Sequence, residues 1–282
     1  MIGLGLLGGS AALAVLRSFP RAKVVGYTHR AATRRKARQL AVATEVVDDM
    51  VRSVSQAQLV ILATPIRTFD GIFCEIADAL PAGCIVTDVG STKVLPHRWA
   101  AKRLPKTVHY VGSHPIAGSE QRGVEFCRDD LFEQEACILT TTKTSNRAAV
   151  QMLKEFWVKL GCSVTVMKPA EHDRIFANVS HLPHVTAAAL TNANNDRELR
   201  FAGKGFMDTS RVASGPANIW TDILLTNPDN VTKGIDRITA ELSKLREAIK
   251  GEKKEQIEKL LEKARCKRAK LISYKMRKKE LT

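Results

Sequence analysis

Four of the first nine residues are glycine, and their spacing sets the first chemical possibility. Gly3-Leu4-Gly5-Leu6-Leu7-Gly8, followed by the apolar run Ala11-Ala12-Leu13-Ala14-Val15-Leu16, is a G-x-G-x-x-G turn at the mouth of a helix. Glycines there permit a tight turn and let the backbone approach a pyrophosphate, whose charge is met by the helix N-terminus. About twenty residues on, where a ribose-recognising residue is expected, the strand-like run Lys23–Tyr27 ends in Thr28, His29 and Arg30. An acidic side chain at that point would bind the ribose hydroxyls of NAD and repel a 2′-phosphate, whereas a hydroxyl and a guanidinium accept one. NADP is therefore the favoured cofactor, with NAD the alternative. Arg34, Arg35 and Lys36 add positive charge nearby or simply face solvent. Further along stand Gly112-Ser113-His114-Pro115-Ile116-Ala117-Gly118-Ser119-Glu120, then His181-Leu182-Pro183-His184, then Asp208-Thr209-Ser210-Arg211. Imidazole suits proton transfer near neutral pH, and guanidinium offers a carboxylate a two-point fork. Taken singly, His114 is an ordinary loop histidine and Arg211 an ordinary surface arginine.

Strand-like apolar runs alternate with helical patterns through the first half of the chain and must position these groups. Lys23–Tyr27, Leu59–Ala63, Ile85–Asp88, Val108–Val111, Cys137–Thr140 and Ser163–Val166 read as strands; Thr33–Gln39, Phe69–Leu80 and Ala148–Leu160 read as helices. Continuous apolar strands separated by helices predict a doubly wound parallel sheet covered on both faces. After Met167-Lys168-Pro169 the strand pattern stops. Glu171–Asn192 reads as one long helix that Pro183 should kink. Helices follow near 217–226 and 228–250, with a charged amphipathic stretch from Glu252 to about Lys270. The expected division is a Rossmann-type α/β domain over residues 1–168 and an all-helical domain over 169–282, ending in a basic tail. Only Met1 and Ile2 precede the first glycine, where a central strand of about five residues is usual. An upstream start, or a severely shortened first strand, is expected.

The formal charge of +15 raises a nucleic-acid reading, but its location argues against one. From Lys244 to Glu280 there are fifteen Lys/Arg and six acids, so +9 of the total sits in one tail, without the interleaved aromatics of a recognition surface. A solvated basic helix is the plainer account, and no specific nucleic-acid binding is expected. The basic balance also attracts polyanionic small molecules, such as a phosphate-rich cofactor. Six cysteines are scattered without metal-type spacing, which reads as reduced thiols in a cytoplasmic protein with no metal site. Met1–Leu16 imitates a signal peptide in its apolarity but lacks a basic leader, and no run of about twenty apolar residues could span a bilayer.

Three segments, Thr87-Asp88-Val89-Gly90-Ser91-Thr92-Lys93, the His114 segment, and His181–His184 with Gly205–Arg211, in this order after a dinucleotide fingerprint, resemble the prephenate and arogenate dehydrogenases of tyrosine biosynthesis over roughly residues 2–250. The resemblance implies oxidative decarboxylation of a cyclohexadienyl ring, with hydride passing to a nicotinamide cofactor, and a homodimer built through the helical domain. It assigns His114 as base or acceptor for the 4-hydroxyl of the substrate, with Ser91 holding the same hydroxyl. Arg211 takes the carboxylate-binding role and His184 a second place beside the substrate. Ser119 and Glu120 line the pocket mouth, Glu120 meeting the amino group of arogenate or organising a gate. Gly3, Gly5, Leu6, Leu7, Gly8, Thr28, His29, Arg30, Thr64 and Pro65 are assigned to the cofactor. Met207 stands where relatives often carry a basic residue, which shifts weight onto Arg211. No appended regulatory domain is expected, in which case any tyrosine feedback would act at the active site.

Prephenate is favoured over arogenate because Glu120 follows the His-Pro motif. A β-hydroxyacid dehydrogenase or imine reductase shares the domain plan, and hydroxyacid enzymes carry a catalytic lysine on the first interdomain helix. Glu171–Asn192 holds no lysine but three histidines, His172, His181 and His184. A nucleotide-sensing nucleic-acid binder anchored by the basic tail is the alternative from another class; it leaves His114, Ser91 and Arg211 unexplained.

Overall fold

In the computed structural model, which describes residues 1–117 and 121–277, short apolar strands form the expected parallel sheet. Strand β1 (Val25–Tyr27) pairs with β2 (Glu45–Val47), and β3 (Leu59–Leu62) with β4 (Ile85–Asp88), which in turn pairs with β5 (His109–Tyr110), all parallel. The segment Met1–Gly3 occupies the centre. Ile2 bridges Tyr27 on one side and Leu62 on the other; Gly3 N donates to Tyr27 O (2.8 Å), Ile2 N to Ile61 O (2.9 Å) and Ala63 N to Ile2 O (2.7 Å). Counted with this segment first, the spatial order is 3-2-1-4-5-6, that of a dinucleotide-binding sheet. Strand β2 was not legible in the sequence because three residues are too short to show a period.

Period-two alternation decides which side each residue serves. In β3, Val60 and Leu62 join Phe69, Phe73 and Ile76 on one face, while Ile61 joins Ala11, Ala14 and Trp157 on the other. The helices on these faces are α1 (Leu6–Ser18), α2 (Ala31–Gln39), α3 (Met50–Val54), α4 (Phe69–Ile76) and α5 (Val94–Arg103). Each fully buried Phe or Leu here contributes about 1.5–3 kcal/mol.

A second sheet beside the parallel one is mixed. Strand β6 (Gly112–Pro115) follows β5 after Val111 alone and runs antiparallel to β7 (Ala136–Thr140), which pairs in parallel with β8 (Ser163–Met167) across helix α6 (Arg147–Lys159). Among the described residues of 116–135 the only helical segment is the short turn Val124–Phe126.

Beyond β8 the chain is helical. Helix α7 (Pro169–Phe176), a π-helical turn (Ala177–His181) and α8 (Leu182–Asn192) form one rod. Pro183 cannot donate to residue 179 and its ring crowds that carbonyl. The widened turn just before it absorbs the misfit that the sequence presented as a kink. Helices α9 (Asp196–Leu199), α10 (Lys204–Ser210) and α11 (Ala217–Thr226) follow, then α12 (Pro228–Lys250) and α13 (Lys254–Arg277). Two compact units result, Met1–Asn230 and Val231–Thr282. Among the described residues, no helix is long and apolar enough to cross a membrane.

Candidate active site

The glycine turn is built as its spacing demands. Gly3 has φ +96°, and a Cβ there would lie 2.5 Å from Ala63 O; a Cβ on Gly8 would lie 1.9 Å from Gly3 O. Neither position admits another residue. Gly5 differs: a Cβ there would meet nothing within 4 Å, so the space over the N-terminus of α1 is open. No side chain caps that terminus and no acid lies in its first turn, so the amides of Leu6 and Leu7 face an opening suited to an anion. These features fit the pyrophosphate of a dinucleotide. Thr64 stands beside Gly3, its hydroxyl paired with Thr68 Oγ1 (2.8 Å), and Pro65 O accepts from Thr68 Oγ1 (2.6 Å). At the end of β1, Thr28 is buried while His29 and Arg30 are exposed. Arg34 folds back to donate to Thr28 O (2.8 Å) and His29 O (2.9 Å), fixing the turn that presents them.

His114 lies on β6, opposite Ile138 of β7, in a backbone held from several directions. Its neighbour Ser113 accepts the Lys93 ammonium on its carbonyl (2.7 Å) and the Trp157 indole N–H on its hydroxyl (3.0 Å), which also pairs with Thr87 Oγ1 (2.6 Å). Lys93, fully buried, reaches the equally buried Asp88 carboxylate; Tyr110 Oη (2.6 Å) and Gly90 N (2.7 Å) donate to the same carboxylate. The His114 ring meets His172 through Nδ1···Nε2 (2.8 Å), and His172 Nδ1 meets Asp173 Oδ1 (2.8 Å). Asp173 also accepts Lys93 N on Oδ1 (2.7 Å) and Val94 N on Oδ2 (2.8 Å), tying α7 to the first turn of α5. Phe176 closes over both rings, with centroids 4.5 Å from His172 and 4.8 Å from His114. Burial, and then the neighbouring His172, holds the His114 pKa well below the ordinary histidine value. Burial and then the Lys93 charge push His172 down to about 2. Both rings are therefore neutral near pH 7.

The π-helical turn and α8 bring two more histidines inward. His181 is fully buried and pushed down to about 4 by burial, with Asp173 opposing; Asn227 Nδ2 lies 3.4 Å from its Nδ1, and its Nε2 has no hydrogen-bond partner. His184 stacks on Trp220 at 3.6 Å and 9°, and its Nδ1 is likewise buried and unpartnered. The stack leaves Gly215 no room for a side chain, since a Cβ would lie 2.2 Å from Trp220 Nε1. Arg211 opens the short turn Arg211–Ser214, which packs on α8, and is itself exposed. Ser91, half-buried, sits in the loop after β4, which Thr92 fastens to Thr226 (2.9 Å). Two buried ring nitrogens on one rod, His181 Nε2 and His184 Nδ1, thus have no hydrogen-bond partner. Ser119 and Glu120 lie outside the described residues.

Reasoning from sequence gave no role in the site to His172, Asp173, Lys93, Asp88 or Trp220. The adjacent His172-Asp173 pair in the first interdomain helix was a usable signal, but its partner is 58 residues away.

These neutral histidines also set an acid limit on stability. Folded His97 and His181 take a proton only near pH 4, and His172 near pH 2, in each case chiefly because of burial. Unfolded imidazole does so near 6.5. The unfolded chain therefore binds more protons as pH falls from about 6.5 towards 4, and stability drops across that window. Asp173, raised by burial, works the other way, but as one group against the five lowered histidines His97, His114, His172, His181 and His184. The Tm is expected to fall steadily between pH 6.5 and 4.5; an unchanged Tm over that interval would contradict buried neutral imidazoles.

Two family models match the chain: "Prephenate dehydrogenase, nucleotide-binding domain" over residues 11–166, and "Prephenate dehydrogenase, dimerization domain" over residues 168–263. A prephenate dehydrogenase from Bacillus subtilis is 34% identical over 264 residues, covering 91% of this chain and 71% of that one. The structure of Aquifex aeolicus prephenate dehydrogenase in complex with hydroxyphenyl propionate and NAD+ superposes with TM-score 0.90 at 33% identity, covering 96% of each chain. Synechocystis arogenate dehydrogenase gives 0.82 at 27% identity, covering 96% of this chain and 98% of that one.

Proposed function

The chain belongs to the prephenate dehydrogenase family, and from that premise we propose that it converts prephenate to 4-hydroxyphenylpyruvate and CO₂ in tyrosine biosynthesis, with arogenate as the alternative substrate. The observation that carries this reading is His114, neutral, buried and aligned by a chain of hydrogen bonds, on an element beside the glycine turn's sheet. A bound nicotinamide nucleotide supplies the acceptor for the hydrogen and electron pair leaving C4 of the ring. His114 Nε2, the ring nitrogen outside the pairing with His172, takes the proton of the 4-hydroxyl as that hydride departs. The C1 carboxylate then leaves as CO₂, its bonding pair makes the ring aromatic, and the oxygen takes the proton back. Ser91 holds the same hydroxyl from the loop after β4. The unpartnered nitrogens of His181 and His184 support a polar substrate beside them.

Arg211 binds a substrate carboxylate from the turn against α8. Arg211→Ala is expected to raise the KM for substrate about tenfold to a hundredfold with kcat within about threefold, since a hydrogen bond to a charged group contributes about 1.5–3 kcal/mol. A KM unchanged in steady-state kinetics would remove Arg211 from the site.

Prephenate is preferred because the 34% identical relative and the 0.90 superposition both carry that name. NADP is preferred because no acid stands at the end of β1, where Thr28, His29 and Arg30 do. The test is nicotinamide reduction with prephenate or arogenate, each with NAD or NADP. Reduction of NADP with prephenate is expected to be most efficient, by about tenfold in kcat/KM over NAD. A strong NAD preference would overturn the cofactor reading, and silence in all four combinations the activity itself.

We further infer a homodimer, with the functional division near residue 168. The match of residues 168–263 to a dimerization domain supports it, as do the exposed Leu242, Ile249 and Leu261 in the unit Val231–Thr282.

A further inference from the structure

We propose that the His172–Asp173 pair is a positioning device that fixes the tautomer of His114, so that the lone pair on His114 Nε2 is permanently presented to the substrate hydroxyl. The inference rests on the base role of His114 proposed above and concerns two residues that this role does not itself require.

Hydrogen-bond bookkeeping along the chain leaves one arrangement. Asp173 uses both carboxylate oxygens as acceptors, Oδ1 from Lys93 N (2.7 Å) and Oδ2 from Val94 N (2.8 Å). His172 Nδ1, 2.8 Å from Oδ1, must then carry a hydrogen and donate it. A neutral His172 with its proton on Nδ1 has a lone pair on Nε2. His114 Nδ1, 2.8 Å from that lone pair, must therefore be the protonated nitrogen of its ring. The remaining nitrogen of His114, Nε2, is left as an acceptor. Isolated histidine favours the opposite tautomer only slightly, so a fixed partner on Nδ1 decides the question.

The surroundings enforce the geometry. His172 and Asp173 are fully buried, and Phe176 stacks on His172 at 26° while covering His114, which excludes water that could supply a competing donor. Asp173 is fixed from the far side by the amides that begin α5, directly after Ser91-Thr92. The same carboxylate thus aligns the base and anchors the loop carrying Ser91. When His114 takes the hydroxyl proton, its positive ring donates to neutral His172, whose other nitrogen points at Asp173; the arrangement stabilises that charge without moving an atom.

The test joins a spectroscopic readout on the unaltered protein to two variants. In histidine-¹⁵N-labelled protein at pH 7.5, His114, assigned from the spectrum of His114→Asn, is expected to show a protonated Nδ1 and an unprotonated Nε2; the reverse pattern overturns the proposal whatever the variants do. His172→Leu removes the acceptor and is expected to lower kcat roughly hundredfold, with KM for substrate and cofactor within about twofold, because half or more of the His114 rings then present N–H instead of a lone pair and the proton they receive is no longer stabilised. The acid limb of its kcat/KM profile should also move. His172→Gln, whose amide can accept from His114 and donate to Asp173, should restore most of the loss. A His172→Leu protein that folds, turns over normally and keeps its acid limb would also overturn it. If His114→Asn itself retains activity, the base reading has failed; if only the His172 results fail, the base reading stands and the positioning does not.

Discussion

His114→Asn is expected to lower kcat by about three orders of magnitude while the KM for prephenate stays within about threefold. Asparagine keeps a hydrogen-bonding group where Nδ1 lies, so the contact with His172 and the packing under Phe176 survive, but it has no basic atom to take the hydroxyl proton. Hydride cannot leave a carbon bearing a protonated oxygen without building positive charge on it, so the loss falls on the chemical step and not on binding. The wild-type profile carries a second sign. Burial and His172 hold the free-enzyme pKa of His114 well below the ordinary value, so kcat/KM should remain level from pH 8 down past 6.5, with its acid limb lower still. Steady-state kinetics over pH 5–9 decide both points. A variant within tenfold of wild type, or a wild-type limb centred near 6.5, would mean that another group takes the proton or that the ring is not buried during turnover.

The parts of the molecule legible in the sequence are those whose cause is local. Gly3 and Gly8 announced themselves because a turn with φ +96° and a gap of 1.9 Å tolerates no side chain, whatever lies elsewhere in the chain. The runs at 59–62 and 85–86 read as strands because they are continuously apolar and almost wholly buried, with the polar Thr87 and Asp88 closing the second. Pro183 signalled a disturbance because its missing amide is a property of that residue; whether the rod would kink or widen depended on the packing around His181 and His184. Strand β6 was not legible for a different reason. Its direction is set by where β7 waits, and pairing across twenty residues leaves no mark in either segment.

The site divides along the same line. His114, Ser91 and Arg211 stood out because the motifs around them are contiguous. His172 was visible only as one of three histidines on a helix, and Asp173 not at all, since their meaning comes from β6 and from the first turn of α5. Thr87–Lys93 was read for Ser91, yet its buried members Asp88 and Lys93 meet Tyr110 and the Ser113 carbonyl. A sequence shows which groups can do chemistry; which of them are oriented, and by what, is decided by contacts between distant segments.

Lys93 supports the second large effect. Lys93→Met is expected to destabilise the protein by about 3–5 kcal/mol, a fall in Tm of about 10–15 °C. The reason is the carboxylate left behind and not the attraction lost. Asp88 has no exposure to solvent, and although Tyr110 Oη and Gly90 N still donate to it, neither carries charge. Methionine fills most of the lysine's volume, so a cavity contributes little. The comparison that isolates the cause is the double variant Asp88→Asn, Lys93→Met, which removes both charges and keeps a hydrogen-bond acceptor for Tyr110. It should recover more than half of the lost Tm, because a buried pair replaced as a pair is close to neutral in stability. A functional consequence follows from the same geometry. The Lys93 ammonium also holds the Ser113 carbonyl, one residue from His114, so the single variant should lose turnover beyond its loss of stability, and the double variant should regain stability without regaining that turnover. If the single variant melts within about 3 °C of wild type, Asp88 is not an isolated buried charge, and the anchoring of β6 through Lys93 would have to be abandoned with it.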